Sequence, residues 1–475
     1  AFGLYKFMFT DSTWNIQRGE FGYRKYKPAK LMELFNNVAY INVNHSLNSF
    51  LTRSLQVDSC EEIIKHQLEK LKENPHLHDS IEFNISRSSY VFDTEGEFAI
   101  EYKDIISPEE IHKWHRDLIE IDSLNKSTLE KNNETMLRAF SLLDGNFEYS
   151  KKENIEFIRD NMALPFTHHS RLGFVYFAQL NNLLRKNVIS ESQKNSLMLS
   201  VKSISTKMKS DAYQVKLGKK SLSSFLDIYG HIRAGNYNLS SSNLKNNLEF
   251  TELLVHNSEP QDENISLQKA IFSNIDKYFE LNNIPYTASA WVEMFQTAIA
   301  TRENSKFYYT KGIDGILNEI EKHNISDEQL FQRLNIEFNQ ENTINLDLKN
   351  TLMPDLISSS DDFYLYEEMS KDGNYIGQGT VSGKVLLLDK YSNQPYDLDN
   401  KIVVIPAADP GWDWIFNYKI KSLITQYGGP NSHMAIRCAE HNIPAILGVG
   451  ESNFSMISTS QSLSIDFSNE SFAIV

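Results

Sequence analysis

The sequence predicts a multidomain protein in which a mainly α-helical region is followed by a small α/β domain. Its 475 residues exceed the usual length of one domain. Apolar residues recur at three-to-four spacing over residues 1–350. After a break, short apolar runs bounded by Gly, Pro or Asn take over.

In chain order, LMELFNNVAYI (31–41), CEEIIKHQLEKLKEN (60–74), PEEIHKWHRDLIEIDSL (108–124), RLGFVYFAQLNNLLRKN (171–187) and IDGILNEIEKHN (313–324) are expected as helices. Ser107-Pro108-Glu109-Glu110 and Ser326-Asp327-Glu328 place acid in a first turn. DSIEFNISRSSYVF (79–92) alternates like a strand. The Pro, serine run and acids of TLMPDLISSSDDF mark a linker over 351–370. Within 371–475, TVSGKVLLLD, KIVVIPAA, SLITQYGG and PAILGVG read as strands, with WDWIFNY and HMAIRCAEHN as helices between them. SLSIDFSNESFAIV is expected as a closing hairpin turning near Ser468-Asn469.

A formal net charge of −15 argues against a general binder of nucleic acid or anionic membrane. No apolar run approaches membrane-spanning length. Cys60 and Cys438 stand alone, outside any CxxC, as expected of reduced thiols in a cytoplasmic protein. The opening AFGLYKFMFTDSTW lacks Met and signal-peptide features and reads as the middle of a longer chain.

The stretch TQYGGPNSHMAIRCAEHNIPAILG carries the chemistry. Gly428-Gly429 allow positive φ and close backbone approach after a buried strand. Ser432 suits an N-cap, which seats His433 in the first helical turn; Ile436, Ala439 and Ile443 are expected on the sheet side, and Asn442 and Pro444 end the helix. Free N–H groups and the helix dipole at that end stabilise phosphate. Neutral imidazole is a nucleophile, so His433 is a candidate phosphoryl carrier. The competing reading is a histidine that only caps or packs.

The stretch resembles the phosphohistidine swivelling domain of the phosphoenolpyruvate-utilising dikinases. That pattern is Thr-x-x-Gly-Gly-x-x-Ser-His, then Ala-Ile, an Arg-Glu pair and Ile-Pro-Ala. Thr425, Gly428, Gly429, Ser432, His433, Ala435, Ile436, Glu440, Ile443, Pro444 and Ala445 match it. Gly379, Gly383, Lys384 and Val385 resemble its opening strand, and Asp409-Pro410-Gly411-Trp412 a segment of the rifampin phosphotransferases. Ala439 departs from the pattern's arginine, and Arg437, one turn past His433, is a candidate for the phosphate contact. A solvated Arg437–Glu440 pair is the other reading.

The resemblance implies a phosphohistidine intermediate, with ATP and Mg²⁺ bound by an ATP-grasp module of the same full-length protein, N-terminal to this segment. No recognisable glycine-rich phosphate loop occurs here, and the segment after His433 is too short for the barrel of the phosphoenolpyruvate synthases. The acceptor module is then expected in the helical region. There FTHHSRLGFVY, FLDIYGHIRAGNY and ATRENSKFYYT resemble family elements. His168 or His169 is a candidate base, with His231 as partner. Arg171, Arg233 and Arg302 suit a carboxylate or the incoming phosphoryl group, Glu303 an ammonium, and Tyr229 and Tyr237 a pocket wall. Each also has a plain reading: a packed His pair, a tight turn at Tyr229-Gly230-His231, a solvated face at Arg302-Glu303. His168, His169 and His231 lack the spacing of known zinc motifs, so no metal site is expected.

SHMAIR at the histidine and Thr10-Asp11-Ser12-x-Trp14 resemble enzymes of capsular polysaccharide clusters, the L-glutamine kinases of phosphoramidate synthesis among them. That resemblance implies L-glutamine as the small-molecule acceptor. A rifampin-like antibiotic phosphotransferase and a non-catalytic phosphocarrier or regulatory protein are the competing readings.

Overall fold

The computed structural model describes residues 2–24, 31–35, 38–78, 81–93, 95–143, 147–233, 242–258, 267–323, 356–358, 373–388, 397–408, 410–429 and 433–474. The expected helix start at Ser326 and nearly all of the 351–370 linker lie outside them, as do Ser432 and Tyr237. The chain forms two compact units. One comprises residues 1–73, 81–210 and 260–344; the other comprises 74–80, 211–259 and 345–475. Residues 211–259, read from sequence as part of the helical region, thus fold with the C-terminal segment.

The first unit is built on α1 (Thr13–Glu20), α2 (Pro108–Leu142), α3 (Leu164–Arg185) and α4 (Ala288–His323). α2 begins as its sequence dictates. The Ser107 hydroxyl accepts from Glu110 N at 3.3 Å, Pro108 needs no donor, and Glu109 and Glu110 meet the dipole. Its buried stripe runs Ile111, Trp114, Leu118 and Ile121, then turns polar at Asp122 and Asn125. α3 follows a π-type turn at Arg159–Ala163 and packs on α1, α2 and α4. At its closest approach to α4, a Cβ on Gly173 would meet Arg302 Cδ at 2.9 Å. Gln179 of α3 accepts from Trp291 Nε1 of α4 at 2.9 Å and donates to Tyr90 O at 3.2 Å. This holds a buried amide satisfied between helices.

Two expected elements differ here. LMELFNNVAYI is an antiparallel hairpin of β1 (Met32–Phe35) and β2 (Val38–Ile41), not a helix. Asn36-Asn37 is a turn signal that outweighs a short apolar spacing. DSIEFNISRSSYVF is not a strand. Ile81–Ile85 forms a π-type turn closed by Ser86 N→Ile81 O at 2.8 Å. Its backbone is tied to helices instead of a neighbouring strand, because Ser88 O accepts from Tyr23 and from Arg171.

The second unit carries a seven-stranded mixed sheet of order β3-β7-β6-β5-β4-β8-β9. Its strands are β3 (Asn374–Ile376), β4 (Thr380–Leu387), β5 (Ile402–Ala407), β6 (Ser422–Tyr427), β7 (Ala445–Leu447), β8 (Ser462–Asp466) and β9 (Ser471–Ile474). β4, β5, β6 and β7 are parallel, while β3, β8 and β9 pair antiparallel at the flanks. The first four residues of both β5 and β6 are buried, in keeping with the apolar run Ile402-Val403-Val404-Ile405. α5 (His433–Glu440) covers one face and buries Met434, Ala435 and Cys438. The expected sheet contacts of Ile436 and Ala439 lie outside the described side chains. The helix expected at WDWIFNY is a 3₁₀ segment, Pro410–Asn417. A short, aromatic-rich segment just after a proline has little α-propensity to sustain i→i+4 bonding. Leu253, in the helix Leu248–His256, packs on this core, and Phe250 meets Trp414 edge-on at 5.5 Å. The terminal hairpin turns where Asp466 Oδ1 accepts from Ser468 N and Asn469 N.

Among the described residues, no helix is long and apolar enough to cross a membrane.

Candidate functional site

The loop after β6 lies at the C-terminal ends of three parallel strands, where open α/β sheets place ligand sites. Gly428 has φ +135°, and a Cβ there would lie 2.3 Å from Ala408 Cβ. Gly448 faces it: a Cβ on Gly448 would sit 2.4 Å from Gly428 O. Only glycine fits at either position. Thr425 Oγ1 accepts from Gly448 N at 3.0 Å, and Thr425 O accepts from Val449 N at 3.0 Å. Ala408 N donates to Tyr427 O at 2.9 Å. The loop is thereby pinned on both sides by backbone.

His433 opens α5 in this frame, so its backbone stands at a helix N-terminus next to the glycine pair. Asn442, at φ +52°, ends the helix in a left-handed cap, with Ile443 N→Cys438 O at 2.9 Å and His441 N→Arg437 O at 3.0 Å. Arg437 is half-buried and stacks over Phe416 at 5.5 Å; Phe416 in turn stacks on His441 at 5.2 Å. Gly429 has freer surroundings than Gly428, its nearest neighbour being the His78 ring at 4.0 Å from a built Cβ.

In the same unit, Tyr229 ends the helix Leu222–Tyr229 and is fully buried. Its hydroxyl donates to Asp211 Oδ2 at 2.8 Å, and Lys220 Nζ lies 2.8 Å from the same oxygen. Burial and the Asp211 contact push the Tyr229 phenol above its ordinary range. Gly230 is required, since a Cβ would meet Leu226 O at 2.3 Å. His231 is half-buried in the following turn, and the buried Arg233 forms a bridge with Asn243.

In the helical unit, α3 brings His168 and Arg171 onto one face against α1. His168 Nε2 meets Glu20 Oε2 at 2.8 Å, and its ring stands edge-on to Phe21 at 4.5 Å. Burial first, then the charges of His169 and Lys131, lowers its pKa to about 4. The ring is neutral near pH 7, with Nε2–H donating to Glu20 and Nδ1 carrying a buried, unbonded lone pair. That is the form a general base requires. His169 is likewise held at about 4, by burial, with a backbone interaction at Leu129 opposing it.

Arg171 is 2% exposed. It donates to Tyr23 Oη at 2.6 Å, to Ser88 O and to Glu82. Arg302 and Glu303 pair at 3.6 Å on a part-exposed face of α4, and Arg302 lies over Phe174 at 5.0 Å. An ion pair this exposed is screened by water and contributes little.

Sequence reasoning missed Arg18, Glu20, Tyr23, Glu82 and Asp122. They come from α1 and the residues just after it, the turn at Ile81 and the middle of α2, far in sequence from the His-His-Ser-Arg motif. The available signal was Gln17-Arg18-Gly19-Glu20, four polar or small residues set between Trp14 and Phe21. A cleft of about 750 Å³ beside the helix Val57–Glu73, lined by Arg24, Cys60 and Lys65 among others, includes none of the sequence-predicted residues.

Residues 398–470 match the family model described as PEP-utilising enzyme, mobile domain. Two curated proteins are similar over part of this region. A rifampicin phosphotransferase of Bacillus cereus is 32% identical over 74 residues, 16% of this chain and 8% of its own length. A phosphoenolpyruvate synthase of Helicobacter pylori is 32% identical over 83 residues, 18% of this chain and 10% of its own length. The chain thus aligns with a tenth or less of either relative. These similarities link the segment that carries His433 to the PEP-utilising mobile domain.

Proposed function

We propose that this chain is the carrier and acceptor portion of an ATP-dependent small-molecule kinase working through phosphohistidine at His433. The observation that carries the reading is the glycine-pinned loop ahead of α5, in the segment matching a PEP-utilising mobile domain. Gly428, Gly429 and Ser432 frame the phosphate, and Arg437 neutralises charge one turn on. ATP and Mg²⁺ belong to an ATP-grasp module of the full-length protein.

The acceptor site is the α1–α3 face of the helical unit, and L-glutamine is the acceptor proposed. An antibiotic pocket is large and apolar, whereas this face gathers a neutral imidazole, guanidinium groups and carboxylates, which suits a small charged molecule. Arg302 with Glu303, and Tyr229, His231 and Arg233, are further candidates for substrate contact. In transfer, the side-chain amide nitrogen attacks phosphorus and the P–N bond to His433 breaks. The amide proton passes to His168 Nδ1, while Glu20 holds the ring. The overall reaction is ATP, L-glutamine and water to AMP, phosphate and N-phosphorylated glutamine.

The full-length polypeptide, given ATP labelled at the β-phosphate with Mg²⁺, should acquire acid-labile label. His433→Asn should abolish both label and turnover while leaving the circular dichroism spectrum unchanged. Phosphorus NMR with L-glutamine should show a new P–N resonance. Turnover retained in His433→Asn overturns the carrier, and a P–N or P–O signal only with another acceptor overturns glutamine.

A further inference from the structure

Arg18 of α1 is a buried cation whose Nε has no hydrogen-bond acceptor. It is 5% exposed, and no hydrogen-bond acceptor or ion-pair partner meets its guanidinium among the described residues. Its neighbours are ring faces: Phe50 at 4.3 Å, Trp14 at 5.1 Å and Tyr23 at 5.6 Å. Ring faces attract the cation but leave its in-plane N–H donors unused. Arg171 lies over two of the same rings, 5.3 Å from Tyr23 and 5.7 Å from Phe50. Its Nε is also buried without an acceptor.

The charges here do not balance. Arg18 and Arg171 bring two positive charges, and Glu82 brings one negative charge. Tyr23 stays neutral, because burial lifts its phenol above the ordinary range. Of the other carboxylates, Glu20 is more than half exposed to water and is not among the charges acting on either arginine, and Asp122 pairs with Lys126 at 3.3 Å. Two more buried groups lack partners, Gln17 Nε2 on α1 and the hydroxyl of Thr52, whose backbone pairs with Tyr23. A folded protein rarely leaves a buried guanidinium without an acceptor unless something else completes it.

We propose that Arg18 and Arg171 together bind a small oxyanion, the carboxylate of the acceptor, which completes this site. The proposal rests on the acceptor reading above and names the group that α1 recognises. One excess positive charge matches one carboxylate, whereas a phosphate dianion overshoots it. The planar fork of Arg18 supplies parallel donors to both carboxylate oxygens. Arg18 is displaced downward in pKa to about 10, by burial and then by Arg171, and is still charged at neutral pH.

The test is calorimetric melting and titration of the full-length protein with acetate, L-glutamine or inorganic phosphate, each against sodium chloride at equal ionic strength. A carboxylate should raise the melting temperature of the unaltered protein above the chloride control. Arg18→Met should lose that rise and weaken carboxylate binding at least tenfold, yet melt no lower than the parent without ligand. Arg18→Lys, which keeps the charge but not the fork, should retain the fold and bind at an intermediate level. Three outcomes overturn the proposal: no carboxylate shifts the parent, phosphate alone shifts it, or Arg18→Met retains the shift. Failure of His433 labelling removes the carrier reading and leaves this titration to be decided by itself.

Discussion

The loop before His433 and the α1–α3 face are both built for polar chemistry, and they are built in opposite ways. The loop is shaped by backbone. Gly428 and Gly448 touch where no Cβ fits, and Thr425 ties the two strand ends together. The helical face is shaped by side chains, with Arg18, Glu20, Tyr23, Glu82, His168 and Arg171 brought in from separated segments. A carrier must present one group in one posture, which rigid backbone does well. An acceptor site must recognise a molecule, which takes complementary charge.

That contrast predicts where each region breaks. The largest effect is expected from Arg171→Met. It strands Glu82 and removes donors from Tyr23 and Ser88 O. Breaking a largely buried pair from one side costs about 3–5 kcal/mol, read by denaturant unfolding. A loss below about 1 kcal/mol would show that charge does not hold this face together.

Gly428→Ala comes next and tests the loop. Overpacking against Ala408 together with a strained positive φ should cost about 2–4 kcal/mol, whereas Gly429→Ala should stay within about 0.5 kcal/mol. Equal costs at the two glycines would mean that backbone approach is not what shapes the loop.

The last effect is a slope with pH, small near neutrality and growing toward acid. His168 and His169 titrate near 4 in the fold and near 6.5 when unfolded. Between those values the unfolded chain binds more protons, so stability is full above about pH 6.5 and falls as pH drops toward 4. Each ring contributes up to about 1.4 kcal/mol per pH unit. His168→Gln and His169→Gln should each flatten stability measured across that window; an unchanged slope would mean that the rings are not held neutral.

The loop before His433 was the more legible of the two in the sequence. Its determinants are local: short apolar strands, a Gly-Gly pair, and a histidine where helix periodicity begins, all within residues 422–447. The helical face was half legible. His168 and Arg171 stand out because five polar residues interrupt an apolar helix, but their partners lie up to 148 residues away and carry no pattern of their own. The β1–β2 hairpin and the turn at Ile81 were misread for a related reason. Short segments are decided by what they pack against, which their own spacing does not encode.

Cys438 has no access to solvent on the inner face of α5, and burial pushes its thiol up to about 12. At neutral pH the sulfur is therefore protonated and shielded, so electrophiles reach it only when that helix lifts from the sheet. The protein thus carries its own chemical stopwatch for the breathing of the element that begins with His433.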